Sequence, residues 1–298
     1  MKKLAVILTL VLVITLLSSV LCEPAHAVFL EDGVPTDLYA VSIDNHNIYQ
    51  INPLTGSVTT VSTTTLFPSI GAAFDGTFLY YWNAQGSNRG IGRWNPLTDT
   101  HILINDTDIS EENADVSADG TLWLLDRTYS KADGVLQGDN TGNLLNIDKT
   151  TGARTIHSTL PFDGIDGFAA GDIAWGPDGK LYISTINALY GWDSSNNYIW
   201  DPSTSILTKI GGDYHAGLVW LGDKLYGSKT LPGTHTGAVF ELDPTNFSDI
   251  QQVAMMPDGV TIGDLSTTIP EPTTIALLGL GSLALLRKRR VYKTQFTS

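Results

Sequence analysis

Hydrophobic positions along the chain fall into three regimes. One largely apolar, uncharged run occupies residues 4–21 and a second occupies residues 273–286. Between them, short apolar stretches are separated by Asn, Asp, Pro, Gly and Thr. This pattern predicts strands and tight turns in the body and apolar segments at the two ends.

The body repeats itself. Five segments carry an apolar strand into an Asn or Asp and then a Thr-bearing or Ser-bearing turn. They contain Asn52-Pro53-Leu54-Thr55-Gly56, Asn95-Pro96-Leu97-Thr98-Asp99, Asp148-Lys149-Thr150-Thr151-Gly152, Asp201-Pro202-Ser203-Thr204 and Asp243-Pro244-Thr245-Asn246. The Asx residues recur at intervals of roughly 42 to 53 residues, the range of a repeating supersecondary unit. Asn and Asp side chains bond the backbone two residues on, Pro presets φ, and Gly takes the left-handed position.

Upstream of the turns lie strands rich in large apolar residues, such as Leu79-Tyr80-Tyr81-Trp82, Leu122-Trp123-Leu124-Leu125, Leu181-Tyr182-Ile183 and Leu225-Tyr226. Before these come small apolar strands around Ala72, Asp115, Asp172 and Gly217. Each unit therefore reads as four antiparallel strands. The expected fold class is all-β, a β-propeller of five four-stranded blades. A sixth blade requires further strands in residues 128–143, and a β-sandwich is the architectural rival. The first unit lacks its small apolar strand. Ile262-Gly263-Asp264-Leu265-Ser266 supplies one at the far end, so the two ends of the body are expected to complete one blade together.

The ends carry addresses. Met1-Lys2-Lys3, the apolar run and Ala25-His26-Ala27 have the order of a signal peptide, with cleavage expected after Ala27. Residues 1–27 are thus read as the signal, 28–268 as the body and 269–293 as a C-terminal segment. That segment holds Pro270-Glu271-Pro272, a single transmembrane helix over 273–286 and the cluster Arg287-Lys288-Arg289-Arg290, which should stay cytoplasmic. Motif, helix and basic cluster in this order resemble the PEP-CTERM sorting signal of bacterial proteins. The resemblance implies an exosortase-type membrane protease as partner, with Pro270, Glu271 and Pro272 as its recognition element. It also implies export, transient membrane anchoring, a destination at the cell surface or beyond it, and extracellular polysaccharide as a partner. The body in turn resembles secreted bacterial propellers with Asp-Pro-x-Thr-Gly turns, a likeness specific for architecture and weak for activity.

Charge narrows the partners. Charged residues are only 16% of the chain and the net charge is −14. The two end segments hold seven of the 17 Lys and Arg but only two of the 31 Asp and Glu, so the body is more acidic than the whole. That composition excludes nucleic acid as a partner, which would require clustered Lys and Arg. The single Cys, Cys22, excludes a disulfide framework and a cysteine zinc site.

Candidate chemistry is sparse. The nucleophile elbow, the His-Glu-x-x-His zinc motif, the phosphate-binding loop and the dinucleotide fingerprint are all absent from the sequence. Asp115, Asp172, His215 and Asp264 occupy comparable places near the starts of the innermost strands, where they would converge on a central channel. Two readings stand. They hold a divalent cation or small polar ligand at one mouth of the channel, or their side chains cap nearby backbone N–H groups. Trp82 and Trp192, near loops, are the candidates for stacking on sugar rings. The functional reading is a non-catalytic binding or structural module of the cell surface. The alternative, by resemblance to other propellers, is a metal-dependent hydrolase of the gluconolactonase-like kind or a lyase.

Overall fold

In a computed structural model, residues 30–31, 34–35, 37–64, 69–83, 90–105, 113–125, 129–132, 135–138, 141–162, 171–187 and 191–267 are described. The signal peptide, Ala27, the Pro-Glu-Pro motif, the helix over 273–286 and the residues Arg287, Lys288, Arg289 and Arg290 lie outside these residues.

The described chain is all β. Five four-stranded antiparallel sheets follow one another as the blades of a propeller. From the inside outward, blade 1 comprises Ile262–Thr267, Leu38–Ser42, Asn47–Asn52 and Ser57–Thr63. Blade 2 comprises Gly71–Phe74, Leu79–Asn83, Gly90–Asn95 and Thr100–Asn105. Blade 3 comprises Ala114–Val116, Leu122–Leu125, Thr141–Ile147 and Arg154–Pro161. Blade 4 comprises Gly171–Trp175, Leu181–Asn187, Gly191–Asp201 and Ile206–Ile210, and blade 5 comprises Gly217–Leu221, Lys224–Thr230, Gly237–Leu242 and Asp249–Met255. Among the described residues, the insert within blade 3 contributes a separate hairpin, Tyr129–Ala132 with Val135–Gly138, and no sixth blade.

Closure runs through the strand that the sequence displaces to the C-terminal end. Ile262–Thr267 pairs antiparallel with Leu38–Ser42, Leu265 opposite Ala40 and Thr267 opposite Leu38. The innermost strands of blades 1 to 5 then pack side by side in a closed cycle. This removes the inner edge that an open row of sheets would expose.

Period-two alternation explains why the second strands are apolar without interruption. Successive side chains point to opposite faces of a blade, and each face meets a different neighbour. Leu38 and Ala40 pack toward blade 5, with Val219 and Tyr226, whereas Tyr39 and Val41 pack toward blade 2, with Phe74 and Leu79. Similar clusters fill the remaining three interfaces, around Trp82 and Leu124, around Trp123 and Ile183, and around Tyr182 and Leu225. The hydrophobic core is therefore five inter-blade layers.

All five Asx turns form as their chemistry demands. Asn52 Oδ1 accepts the N–H groups of Leu54 and Thr55, each at 3.0 Å. Asn95 Oδ1 accepts Leu97 N–H at 2.9 Å, Asp148 Oδ1 accepts Thr150 N–H at 2.9 Å and Thr151 N–H at 2.7 Å. Asp201 Oδ1 accepts Ser203 N–H at 2.9 Å and Asp243 Oδ1 accepts Thr245 N–H at 2.8 Å. The left-handed residue that ends each turn is Gly56 or Gly152 in two blades. In the others it is Asp99, Ser205 or Phe247, with φ of 49°, 57° and 55°. The turn geometry thus outranks the preference for glycine.

Candidate functional site

The axis of the propeller is lined by the five innermost strands, and three of them place an aspartate at the same position. Asp115, Asp172 and Asp264 are equivalent; Ala72 and Leu218 stand in the other two blades. Each carboxylate reaches the innermost strand of the next blade. Asp264 Oδ2 accepts Ala72 N–H at 2.7 Å, Asp115 Oδ2 accepts Trp175 N–H at 2.6 Å and Asp172 Oδ2 accepts Leu218 N–H at 2.5 Å. The second oxygens of Asp264 and Asp115 accept N–H groups on their own strands, from Leu265 at 2.6 Å and Val116 at 2.7 Å. A fourth clamp is made by Ser266, whose Oγ accepts Phe74 N–H at 2.7 Å.

Tight packing accounts for this geometry. A Cβ added to Gly217 would lie 2.5 Å from Leu265 N, and one added to Gly263 would lie 2.8 Å from Ser69 O. Backbones this close leave inward-facing amides without water, and a buried amide left unpaired is costly. A short carboxylate on the neighbouring strand is the group that satisfies them.

Desolvation sets the protonation of these carboxyls. Burial pushes Asp115 up to about 7, against the pull of the Trp175 and Val116 amides. Asp172 and Asp264 are both raised well above the usual carboxylate range, chiefly by burial. The charge of Asp264 raises Asp172 further. A hydrogen bond between the two carboxyls links their titrations.

Of the four residues expected at the channel, the structure brings three together. His215 lies apart, two residues before the Gly217–Leu221 strand. Its backbone N–H donates to Ser184 Oγ at 2.9 Å. Its ring is fully buried beside Gly227 and faces outward within blade 5, with Nε2 3.1 Å from Asp249 Oδ1. Lys229 bonds the other oxygen of Asp249 and also Asp213 Oδ2, at 2.8 Å for the latter. Among the described residues, no three His, Cys, Asp or Glu side chains are arranged to hold a metal ion. Trp82, expected near a loop and free to stack on a sugar, is fully buried in the layer between blades 2 and 3. The reason is the alternation of its strand, which points it at the neighbouring blade. The side chain of Trp192 lies outside the described residues.

One cluster escapes a reading by sequence motif. Ser62 Oγ lies 2.6 Å from Asp99 Oδ1 and 3.0 Å from His101 Nε2, and Tyr81 Oη lies 3.0 Å from His101 Nδ1. Serine, histidine and aspartate in contact have the composition of a nucleophilic triad, but the protons are placed otherwise. The single hydroxyl proton of Ser62 goes to Asp99, so Ser62 accepts from His101 Nε2–H and His101 Nδ1 accepts from Tyr81. Burial lowers the His101 pKa although Asp99 opposes the shift, and burial raises that of Tyr81. Asp99 also accepts Trp94 Nε1–H at 2.9 Å and is lowered first by the Ser62 hydroxyl. The arrangement ties the outermost strand of blade 1 to blade 2 and leaves no activated nucleophile. The sequence signal for it is Asp99, standing where the turns of blades 1 and 3 have Gly56 and Gly152.

Comparison with solved structures returns chains of low identity. A chain of the nidogen/laminin complex is 13% identical with a TM-score of 0.48, over 80% of this chain and 83% of that one. A structural genomics protein of unknown function from Bacteroides thetaiotaomicron VPI-5482 is 16% identical with a TM-score of 0.46, over 66% and 54%. TolB from Acinetobacter baumannii is 14% identical with a TM-score of 0.44, over 78% and 55%. The chain spans about half the length of the last two. No curated protein sequence matches it. Residues 268–290 match the PEP-CTERM protein-sorting motif. The chain thus joins a five-bladed propeller body to a C-terminal PEP-CTERM motif, and that motif implies export, anchoring at the C-terminus and processing by exosortase, a membrane protease.

Proposed function

We propose that the propeller is a non-catalytic binding or structural module of the cell surface or extracellular matrix, with extracellular polysaccharide as its partner. The observation that carries this reading is the use made of the channel carboxylates. Asp115, Asp172 and Asp264 hold neighbouring blades together through backbone amides. A hydrolase or lyase working through a channel metal would need those lone pairs for the ion.

The test is made in a host with active exosortase. Glu271→Ala keeps the chain in the membrane fraction, while the wild-type body is recovered from the matrix with polysaccharide. Metal analysis of the purified body accompanies it. Tightly held, stoichiometric Ca²⁺ or Zn²⁺ rejects the non-catalytic reading, and trimming of Glu271→Ala at the wild-type rate rejects the role of the motif.

A further inference from the structure

Strand direction divides the connections of the propeller between two faces. All five innermost strands run the same way, and the chain leaves the last of them at Thr267, opposite Leu38. On that face lie the first-to-second turns of the other blades, at 75–78, 117–121, 176–180 and 222–223. The third-to-fourth turns start from the same side, at 53–56, 96–99, 148–153, 202–205 and 243–248. Every one is short. The longer connections, among them 64–70, 106–113, 126–140 and 162–170, join strand ends on the opposite face.

The sorting motif begins at residue 268, immediately after the closing strand ends at Thr267. An extended chain covers at most about 3.5 Å per residue, so the apolar segment starting at 273 begins within roughly 20 Å of the folded body. Two further features fit a face held at a surface. Its turns are short, and the chain before Leu38 leaves from the same side as the tail. Exposed Asp119, Asp178 and Asp223 make it repel anionic headgroups, so the tether and not adhesion sets the orientation.

We infer that, in the anchored form, the face bearing Thr267 and the short turns is apposed to the lipid headgroups of the bilayer that holds the tail. The opposite face, with the long connections, is the one presented to extracellular partners. This rests on the anchoring that the sorting motif implies and adds an orientation to it.

The mature chain, residues 28–298, which contains no Cys, is reconstituted into phosphatidylethanolamine and phosphatidylglycerol vesicles carrying an acceptor dye on the headgroups. A donor is placed at Ala118→Cys on the tail face or at Asp258→Cys on the opposite face; both positions are exposed. Energy transfer from position 118 is expected to exceed that from 258 several-fold. Equal transfer, or more from 258, in chains that float with the vesicles overturns the orientation alone. Chains that fail to float overturn the anchoring reading and the orientation with it.

Discussion

Asp264 accepts the backbone N–H of Ala72 at 2.7 Å, although 192 residues separate them. The bond joins the strand that closes the propeller to the first innermost strand of the chain. Removing it strands a buried amide on each side. Asp264→Ala is expected to lower the stability of the body by about 2–3 kcal/mol, the cost of buried donors left unpaired. Asp264→Asn keeps one acceptor and loses less. Urea unfolding of the purified variants measures both, and an Asp264→Ala body as stable as the wild type rejects the clamp.

Stability should peak on the acid side of neutrality. The folded-state pKa of Asp115 is raised from 3.8 to about 7, and those of Asp172 and Asp264 are raised as well. The folded protein thus binds more protons than the unfolded chain between about pH 4 and 7, and these groups add stability as the pH falls through that window. Asp75, Asp99 and Asp119 are lowered, so their contribution is present above the unfolded value and lost as the pH falls through the folded one. Unfolding midpoints across the pH range should therefore rise from alkaline to mildly acid conditions and then fall. Asp115→Asn flattens the alkaline limb; an unchanged limb contradicts the assignment.

Ser62 is expected to act as a structural residue. Ser62→Ala should cost about 1–2 kcal/mol, since it strips Asp99 and His101 of a partner. The wild-type body should show no ester hydrolysis that the variant loses. Hydrolysis of a p-nitrophenyl ester by the wild type and not by Ser62→Ala would restore the nucleophile reading.

Gly171 starts the innermost strand of blade 4 with φ of 141°, and a Cβ there would lie 1.9 Å from the carbonyl oxygen of Ser184. Both features exclude a side chain. Gly171→Ala should cost about 3 kcal/mol or more. Gly120→Ala, at φ of 82° with open space around it, should cost only the backbone strain, about 1 kcal/mol. Thermal unfolding of the two variants distinguishes them, and equal losses would argue against the close packing around Ser184.

Export makes the simplest check. The Ala25-His26-Ala27 site predicts a mature chain starting at Val28. Mass spectrometry of the secreted protein reads it directly. A chain starting at Met1, or at a lipidated Cys22, rejects the signal-peptide reading.

Local chemistry written in neighbouring residues was legible without the structure. Asn52, Asn95, Asp148, Asp201 and Asp243 announce turns because an Asx side chain bonds an amide two or three residues away. Their recurrence gave the blades, and the displaced Ile262–Thr267 strand gave the closure. The sorting motif was legible because a processing enzyme reads consecutive residues. What the tertiary structure decided concerns partners distant in the chain. Asp172 and Asp264 share an environment only because the blades form a ring, and His215 leaves the channel because its ring packs outward beside Gly227. Trp82 and Trp192 look alike in sequence, yet Trp82 is core because its strand faces blade 3. Ser62, Asp99 and His101 meet only where blade 1 lies against blade 2. Turns and addresses are set by contacts a few residues long, whereas burial, proton sharing and cross-blade hydrogen bonds depend on which blade lies beside which.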